Sequence, residues 1–79
     1  MLDTQMLAAM WRAGTTAASD DIRDGMAYDQ EYALEEAEAV AIVYGKTNHL
    51  PESAIRDLAS EWLSGYKDAF AGELQWQAD

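Results

Sequence analysis

Apolar residues recur at helical spacing most regularly in the last third of the chain. Neighbouring members of the series lie one, three or four positions apart, which is typical of an amphipathic helix. The series is Ile55, Leu58, Ala59, Trp62, Leu63, Tyr66, Ala69, Phe70 and Leu74. Pro51 suits the first position of a helix, and Gly72 is of the residue type that often follows a helix end. The pattern predicts a helix over residues 51–71, about 30 Å long.

A second amphipathic segment covers residues 29–44, where small apolar residues are interspersed with glutamates. Its apolar stripe is Ala33, Ala37, Val40, Ala41 and Tyr44. Gly45 follows directly and is predicted to end this helix. A strand over residues 40–44 is the alternative, because Val-Ala-Ile-Val-Tyr is rich in β-branched residues. The preceding Glu-Glu-Ala-Glu-Ala favours the helix.

The N-terminal third predicts a shorter helix over residues 4–13, with Asp3 as its N-cap and Gly14 past its end. The expected buried side chains of this helix are Met6, Leu7, Met10 and Trp11. We expect a loop over residues 15–18. A short turn of helix is expected to follow over residues 19–26, capped by Ser19 and broken by Gly25.

These segments together predict an all-α fold, a three- or four-helix bundle in a single domain over residues 1–79. Alanine, the strongest helix former, supplies 15 residues and supports this class. We expect a monomer or a weak dimer. The expected core residues are Trp11, Val40, Ile55, Leu58, Trp62, Leu63, Tyr66 and Phe70.

The charge of the chain limits the classes of molecule that it can bind. It carries 15 acidic and 5 basic residues, for a net charge of −10, and the basic residues are scattered singly. Such a surface attracts neither nucleic acid nor an anionic membrane. There is no basic N-terminal region with an apolar segment behind it, and no apolar run approaches membrane-spanning length. We therefore expect a cytoplasmic protein that binds another protein.

The sequence contains few candidate residues for catalysis or for cofactor binding. Cysteine is absent, His49 is the one histidine, and the five glycines stand singly, so no phosphate-binding loop is recognisable. We expect no catalysis, no cofactor and no structural metal. The closest metal pattern is an EF-hand-like series of Asp20, Ile22, Asp24, Gly25 and Glu31. Its third position is an isoleucine, which offers no oxygen, and a calcium-binding module remains the lesser alternative.

Acidic residues are concentrated between positions 20 and 38, where Arg23 is the one basic residue. The candidate partner-binding residues are Asp20, Asp21, Asp24, Asp29, Glu31, Glu35, Glu36 and Glu38. Glu31, Glu35 and Glu38 stand at i, i+4 and i+7 and so share one side of a helix. A solvated face is one interpretation of this cluster. The other is that it imitates the phosphates of DNA and faces a basic, nucleic-acid-binding protein surface.

In size, acidity and lack of cysteine the chain resembles the small anti-CRISPR proteins of bacteriophages, and among them the DNA mimics. The resemblance implies an inhibitor that blocks target-DNA binding by a Cascade-type complex in the bacterial host. Anti-restriction DNA mimics and acidic adaptor modules share the same features and stay open as alternatives. If the acidic face is only solvated, the aromatic residues Tyr28, Tyr32 and Trp76 become the candidate interface.

Overall fold

The computed structural model describes the backbone of residues 2–78 and the side chains of residues 2–72. Within this range it contains three helices and no strand: α1 over Thr4–Arg23, α2 over Gln30–Thr47 and α3 over Glu52–Ala78. The all-α prediction is confirmed, with three helices rather than four. The alternative of a strand over residues 40–44 is wrong, because this segment lies inside α2.

The third helix is the centre of the fold. Both α1 and α2 pack against α3, and they hardly touch each other. Leu58, Trp62, Tyr66 and Phe70 recur every fourth position and are buried along α3, as predicted. The rings of Trp62, Tyr66 and Phe70 form an aromatic ladder, in which Trp62 is stacked on Tyr66 and Tyr66 is tilted against Phe70, each pair at a centroid distance of 5.0 Å. This aromatic ladder holds both outer helices on one core.

The first helix runs without a break through the region predicted as a helix end, a loop and a separate turn. Gly14 does not end it, because the missing side chain lets the backbone of α1 approach the carbonyl group of Trp62. The hydroxyls of Thr15 and Ser19 donate to carbonyl oxygens of the preceding turn, at 2.8 and 3.0 Å. Ser19 therefore lies inside the helix and caps nothing. The predicted loop over residues 15–18 is wrong for the same reason.

Trp11 is the one predicted core residue that lies on the surface, where it is 37% exposed. The buried line of α1 is Met10, Gly14 and Ala18, at i, i+4 and i+8. Trp11 is one position away from this line, so its ring lies at the edge of the contact between α1 and α3. The prediction placed it in the core because α1 was expected to end before Ala18 could define the buried side.

The second helix contacts α3 through small residues. Ala33, Ala37, Ala41 and Gly45 are buried at every fourth position, which confirms the alanine stripe and extends it by one turn. Gly45 does not end the helix, because it faces the side chain of Ile55 in α3. The larger side chains predicted for the core on this side are half-buried and pack around its edge. They are Val40, Ile55 and Leu63.

The helix ends are defined by side-chain and backbone caps. Asp3 caps α1 as predicted, since its carboxylate accepts a hydrogen bond from the backbone N–H of Met6 at 2.9 Å. Gly25 and His49 follow α1 and α2 in the left-handed conformation, with φ of 84° and 57°. The backbone N–H of Leu50 then donates to the carbonyl of Gly45 at 2.8 Å, as in a Schellman motif. The end of α2 is therefore about one turn later than Gly45 suggested, and the end of α1 is more than two turns later than Gly14 suggested.

The third helix also differs from its predicted bounds. It begins one residue after Pro51, whose carbonyl accepts a hydrogen bond from the N–H of Ile55 at 3.1 Å. It continues past the predicted stop at Gly72, which lies in open space and keeps a helical backbone. A glycine that keeps a helical backbone weakens a helix but does not end it. A helix commonly ends where a residue adopts the left-handed conformation.

Candidate interaction surface

Two of the eight candidate acidic residues lie at helix ends. Asp29 is the N-cap of α2, and its carboxylate accepts hydrogen bonds from the backbone N–H groups of Glu31 and Tyr32, at 3.0 and 3.3 Å. Asp24 is the C-cap residue of α1 and is exposed. The carboxylate of Asp29 thus starts a helix, which is a structural role independent of any partner.

Two further acidic residues are engaged within the protein. Asp20 forms an ion pair with Arg23 on the next turn of α1. Asp21 accepts a hydrogen bond of 2.5 Å from the hydroxyl of Tyr66, which links the end of α1 to the core of α3. Burial raises the pKa of Tyr66 well above its ordinary value, and the hydrogen bond to Asp21 and the negative charge of Asp21 add to this rise.

Three glutamates form a continuous exposed row on α2, which we call the acidic ridge: Glu31, Glu35 and Glu38. Their i, i+4 and i+7 spacing places them on one side of the helix, as the sequence predicted. Within the described side chains, no lysine or arginine lies within ion-pairing distance of these three carboxylates. Their negative charge is therefore directed to solvent.

Glu36 does not belong to this ridge. It lies next to Tyr32, one turn earlier on α2, and its charge is the main reason why the pKa of Tyr32 is raised. Glu36 is half-buried, whereas the members of the acidic ridge are exposed. The structure therefore divides the glutamates of α2 between two sides of the helix.

The eight acidic residues do not line one straight rod, because the chain turns between α1 and α2. Residues 24–29 are not helical, so Asp20 and Asp21 lie on a different helix from the ridge. The same turn bears on the calcium alternative, since an EF-hand requires one continuous ligand loop over residues 20–31. Among the described residues, no group of three or more histidine, aspartate or glutamate side chains is placed to hold a metal ion.

An apolar groove runs between α2 and α3 beside the acidic ridge. Leu34 and Ile42 form its α2 wall and are 41% and 42% exposed, and Ile55 and Leu63 form its α3 wall. The groove has a volume of about 570 Å³. Sequence reasoning missed Leu34 and Ile42 because both lie outside the alanine stripe. Their i, i+8 spacing within one helix was the available signal.

The aromatic residues considered as an alternative interface have different surroundings. Tyr28 packs against Tyr66 and Phe70, with ring centroids 6.1 and 5.6 Å apart, and covers the end of the aromatic ladder. Tyr32 is 36% exposed beside Glu36. The side chain of Trp76 lies outside the described residues.

None of the three helices is long and apolar enough to cross a membrane within the range that the structure describes. Comparisons of the chain with protein families, with curated proteins and with solved structures find no match. A function must therefore be inferred from the surface itself.

Proposed function

We propose that the protein is a phage-encoded inhibitor of a bacterial CRISPR–Cas complex of the Cascade type, and that it acts as an acidic DNA mimic. In this proposal the acidic ridge contacts the lysines and arginines that otherwise hold DNA phosphates. The supporting observation is that Glu31, Glu35 and Glu38 are exposed, aligned and, among the described side chains, without a lysine or arginine within ion-pairing distance. The protein acts stoichiometrically in the host cytoplasm, without a catalytic step or a cofactor.

The spacing of the ridge supports this proposal. With a rise of 1.5 Å per residue, its charges follow one another about every 5 Å along the axis of α2. One strand of B-DNA carries a charge about every 3.4 Å, which is the same order. A cationic channel that binds a phosphate backbone therefore meets a similar linear charge density on this face.

The cost of the ridge to the helix also favours a binding role. Like charges at i, i+4 destabilise a helix by a few tenths of a kcal/mol, and solvent screens but does not remove this repulsion. Asp20 has Arg23 within ion-pairing distance on its own helix, so the chain does place neutralising cations elsewhere. Leaving three aligned carboxylates without one is consistent with a partner that supplies the cations.

The field of the whole molecule adds to the local contacts. A net charge of −10 on 79 residues attracts a basic surface over long range and speeds the first encounter. Individual rim charge pairs contribute little affinity, about 1 kcal/mol or less. The proposal therefore places most of the electrostatic effect in the rate of association.

Competition with DNA is the direct test. A purified Cascade-type complex is mixed with a labelled duplex that matches its guide, and DNA binding is measured by fluorescence anisotropy as the protein is added. We expect loss of DNA binding that saturates near one inhibitor per binding channel. The protein should also bind the complex in the absence of DNA.

Two outcomes contradict this function. If the protein binds the complex but DNA still binds equally well, the ridge does not occupy the DNA channel, and an adaptor role replaces the inhibitor. If the protein does not bind the complex but displaces DNA from a restriction enzyme in a parallel assay, the target is a restriction system. An unrelated acidic protein of similar size and net charge is the control for non-specific electrostatic displacement.

A further inference from the structure

The apolar groove between α2 and α3 is an exposed feature that the acidic ridge does not explain. Leu34 and Ile42 leave about two-fifths of their side-chain surface in solvent, although both are large apolar residues. Ala37 and Ala59 lie between the two walls, so the space is wide enough to receive side chains from outside. Contiguous apolar surface of this kind is typical of a site where another protein binds.

The topology explains why the groove is open. Because α1 and α2 hardly touch, α2 has α3 as its main neighbour and leaves more than one side in solvent. No segment among the described residues 2–72 covers the α2–α3 groove. Among the described residues the groove is thus open to another molecule.

The charge around the groove is uneven along its length. Glu38 lines the groove between Leu34 and Ile42, four positions from each, and the other two members of the acidic ridge lie on the preceding turns of α2. Lys46, Arg56 and the acidic Glu52 lie at the opposite end, near the turn from α2 to α3. The charges of the lining itself therefore balance, and the excess negative charge that an occupant meets comes from the rest of the acidic ridge, Glu31 and Glu35.

These observations disfavour three kinds of occupant. A second copy of the chain carries the same net charge of −10, so two copies repel each other. Nucleic acid and anionic membranes are repelled for the same reason. A basic protein segment is attracted by the ridge and provides apolar side chains for the groove.

We infer that the groove binds one amphipathic helix of the partner protein. Apolar side chains at i, i+4 and i+7 of that helix insert between Leu34, Ile42 and Leu63, and lysines or arginines on its flank lie over the acidic ridge. This inference rests on the proposed function, because it specifies the basic partner that the ridge attracts. It adds an apolar anchor to what is otherwise a purely electrostatic contact.

A helical peptide serves as the probe. It has about 18 residues, leucines at i, i+4, i+7 and i+11, and lysines on the flank that faces the ridge, and its affinity is measured by titration calorimetry. A peptide of the same composition with its leucines distributed around the helix is the first control. A peptide with glutamate in place of lysine is the second. We expect binding of the first peptide and affinity at least about tenfold lower for both controls.

Matched variants of the protein locate the binding site. Leu34→Ser/Ile42→Ser should weaken peptide binding by at least about tenfold, because it removes the apolar wall on α2. Val43→Ser is the control, since Val43 is 67% exposed on the same helix but does not line the groove. It should change the affinity by less than about twofold. Amide chemical-shift changes in the wild-type protein should cluster along the groove, which gives a readout independent of the stability of any variant.

The outcomes separate this inference from the proposed function. If the Leu34→Ser/Ile42→Ser variant blocks DNA binding as well as the wild type, the groove is not an anchor, and the ridge alone acts. If this variant fails while neutralising the ridge has no effect, the groove binds a partner and the DNA mimic is wrong. Equal binding of all three peptides, or a dimer in sedimentation experiments without peptide, contradicts the inference.

Discussion

Tyr66 and Asp21 form a side-chain hydrogen bond that links α3 to α1. The buried ring of Tyr66 lies between Trp62 and Phe70 in the aromatic ladder, and its hydroxyl donates to the carboxylate of Asp21. The bond joins residues 45 positions apart and fixes the end of α1 on α3. A hydrogen bond to a charged acceptor stabilises a fold by about 1.5–3 kcal/mol, less where water reaches the acceptor.

Replacing this tyrosine should change how stability depends on pH. The folded-state pKa of Tyr66 lies above the value of about 10 for an unfolded tyrosine, so the unfolded chain loses the proton more easily. The stabilisation is therefore complete below about pH 10 and is lost as the pH rises above it. Tyr66→Phe should lose about 1–2 kcal/mol at neutral pH but decline less at alkaline pH, as measured by urea unfolding at several pH values.

The exposed Tyr32 provides the control for this prediction. Its pKa is raised chiefly by Glu36, and it does not belong to the aromatic ladder. Tyr32→Phe should leave the stability at neutral pH nearly unchanged. If the wild type and Tyr66→Phe decline in parallel above about pH 10, the contact does not hold the proton as described.

Single residues show where sequence reasoning ends. The N-cap role of Asp3 and the position of Asp29 at the start of α2 could be predicted from the local sequence, because capping acts over three residues. The partner of Asp21 lies 45 positions away and has no local signal. The alignment of the ridge was readable from its spacing, but charge counting cannot distinguish a carboxylate engaged within the fold from one directed to solvent.

Among the elements, the contact between α1 and α3 depends on two glycines. A methyl group on Gly14 would collide with the carbonyl oxygen of Trp62, and one on Gly65 with the carbonyl oxygen of Trp11. Two helices that approach at backbone distance bury the neighbouring side chains more completely. The intrinsic cost of about 1 kcal/mol for each glycine in a helix is offset by this packing.

The same substitution at two glycines should therefore have opposite effects. Gly14→Ala should destabilise the protein by about 2 kcal/mol, because α1 and α3 must move apart. Gly72→Ala should stabilise it by about 0.5–1 kcal/mol, because nothing lies within 4 Å of the new methyl group and alanine is the better helix former. Thermal unfolding followed by circular dichroism measures both, and a Gly14→Ala variant as stable as Gly72→Ala would refute the close approach.

The errors in the predicted helix bounds have this same origin. The sequence pattern predicted that these three segments contain helix, because hydrophobic periodicity reports which side of a segment is buried. It placed helix ends at Gly14, Gly45 and Gly72, because glycine commonly follows a helix. The first two glycines are packing positions against α3, which is a property of the assembled fold. The end of α2 is marked by His49, a residue other than glycine in the left-handed conformation, and the sequence contains no comparable signal for a helix end there.

At the scale of the whole molecule, charge and apolar surface meet on one side. The acidic ridge and the α2–α3 groove are adjacent because Glu38 lies between Leu34 and Ile42 on the same helix. The high net charge was available from composition. The groove could not be predicted from composition, because it exists only where α1 and α2 pack against different sides of α3.

The central claim is that the position of the ridge matters, and not merely the net charge. Two triple variants separate these effects: Glu31→Gln/Glu35→Gln/Glu38→Gln on the ridge, and Asp57→Asn/Glu61→Gln/Asp68→Asn on α3. Each removes three of the 15 acidic residues. The α3 set stands at i, i+4 and i+11, so it shares one side of its helix and does not line the groove. Both variants should remain folded, which circular dichroism verifies.

The deciding measurement is the association rate of each variant with a purified Cascade-type complex over a range of salt concentrations. We expect the ridge variant to associate at least about tenfold more slowly at physiological salt, with a weaker salt dependence than the wild type. The α3 variant should stay within about twofold to threefold of the wild type, since its lost charges do not contact the partner. Equal rates for the two variants would show that the ridge is only a solvated surface and would contradict the account.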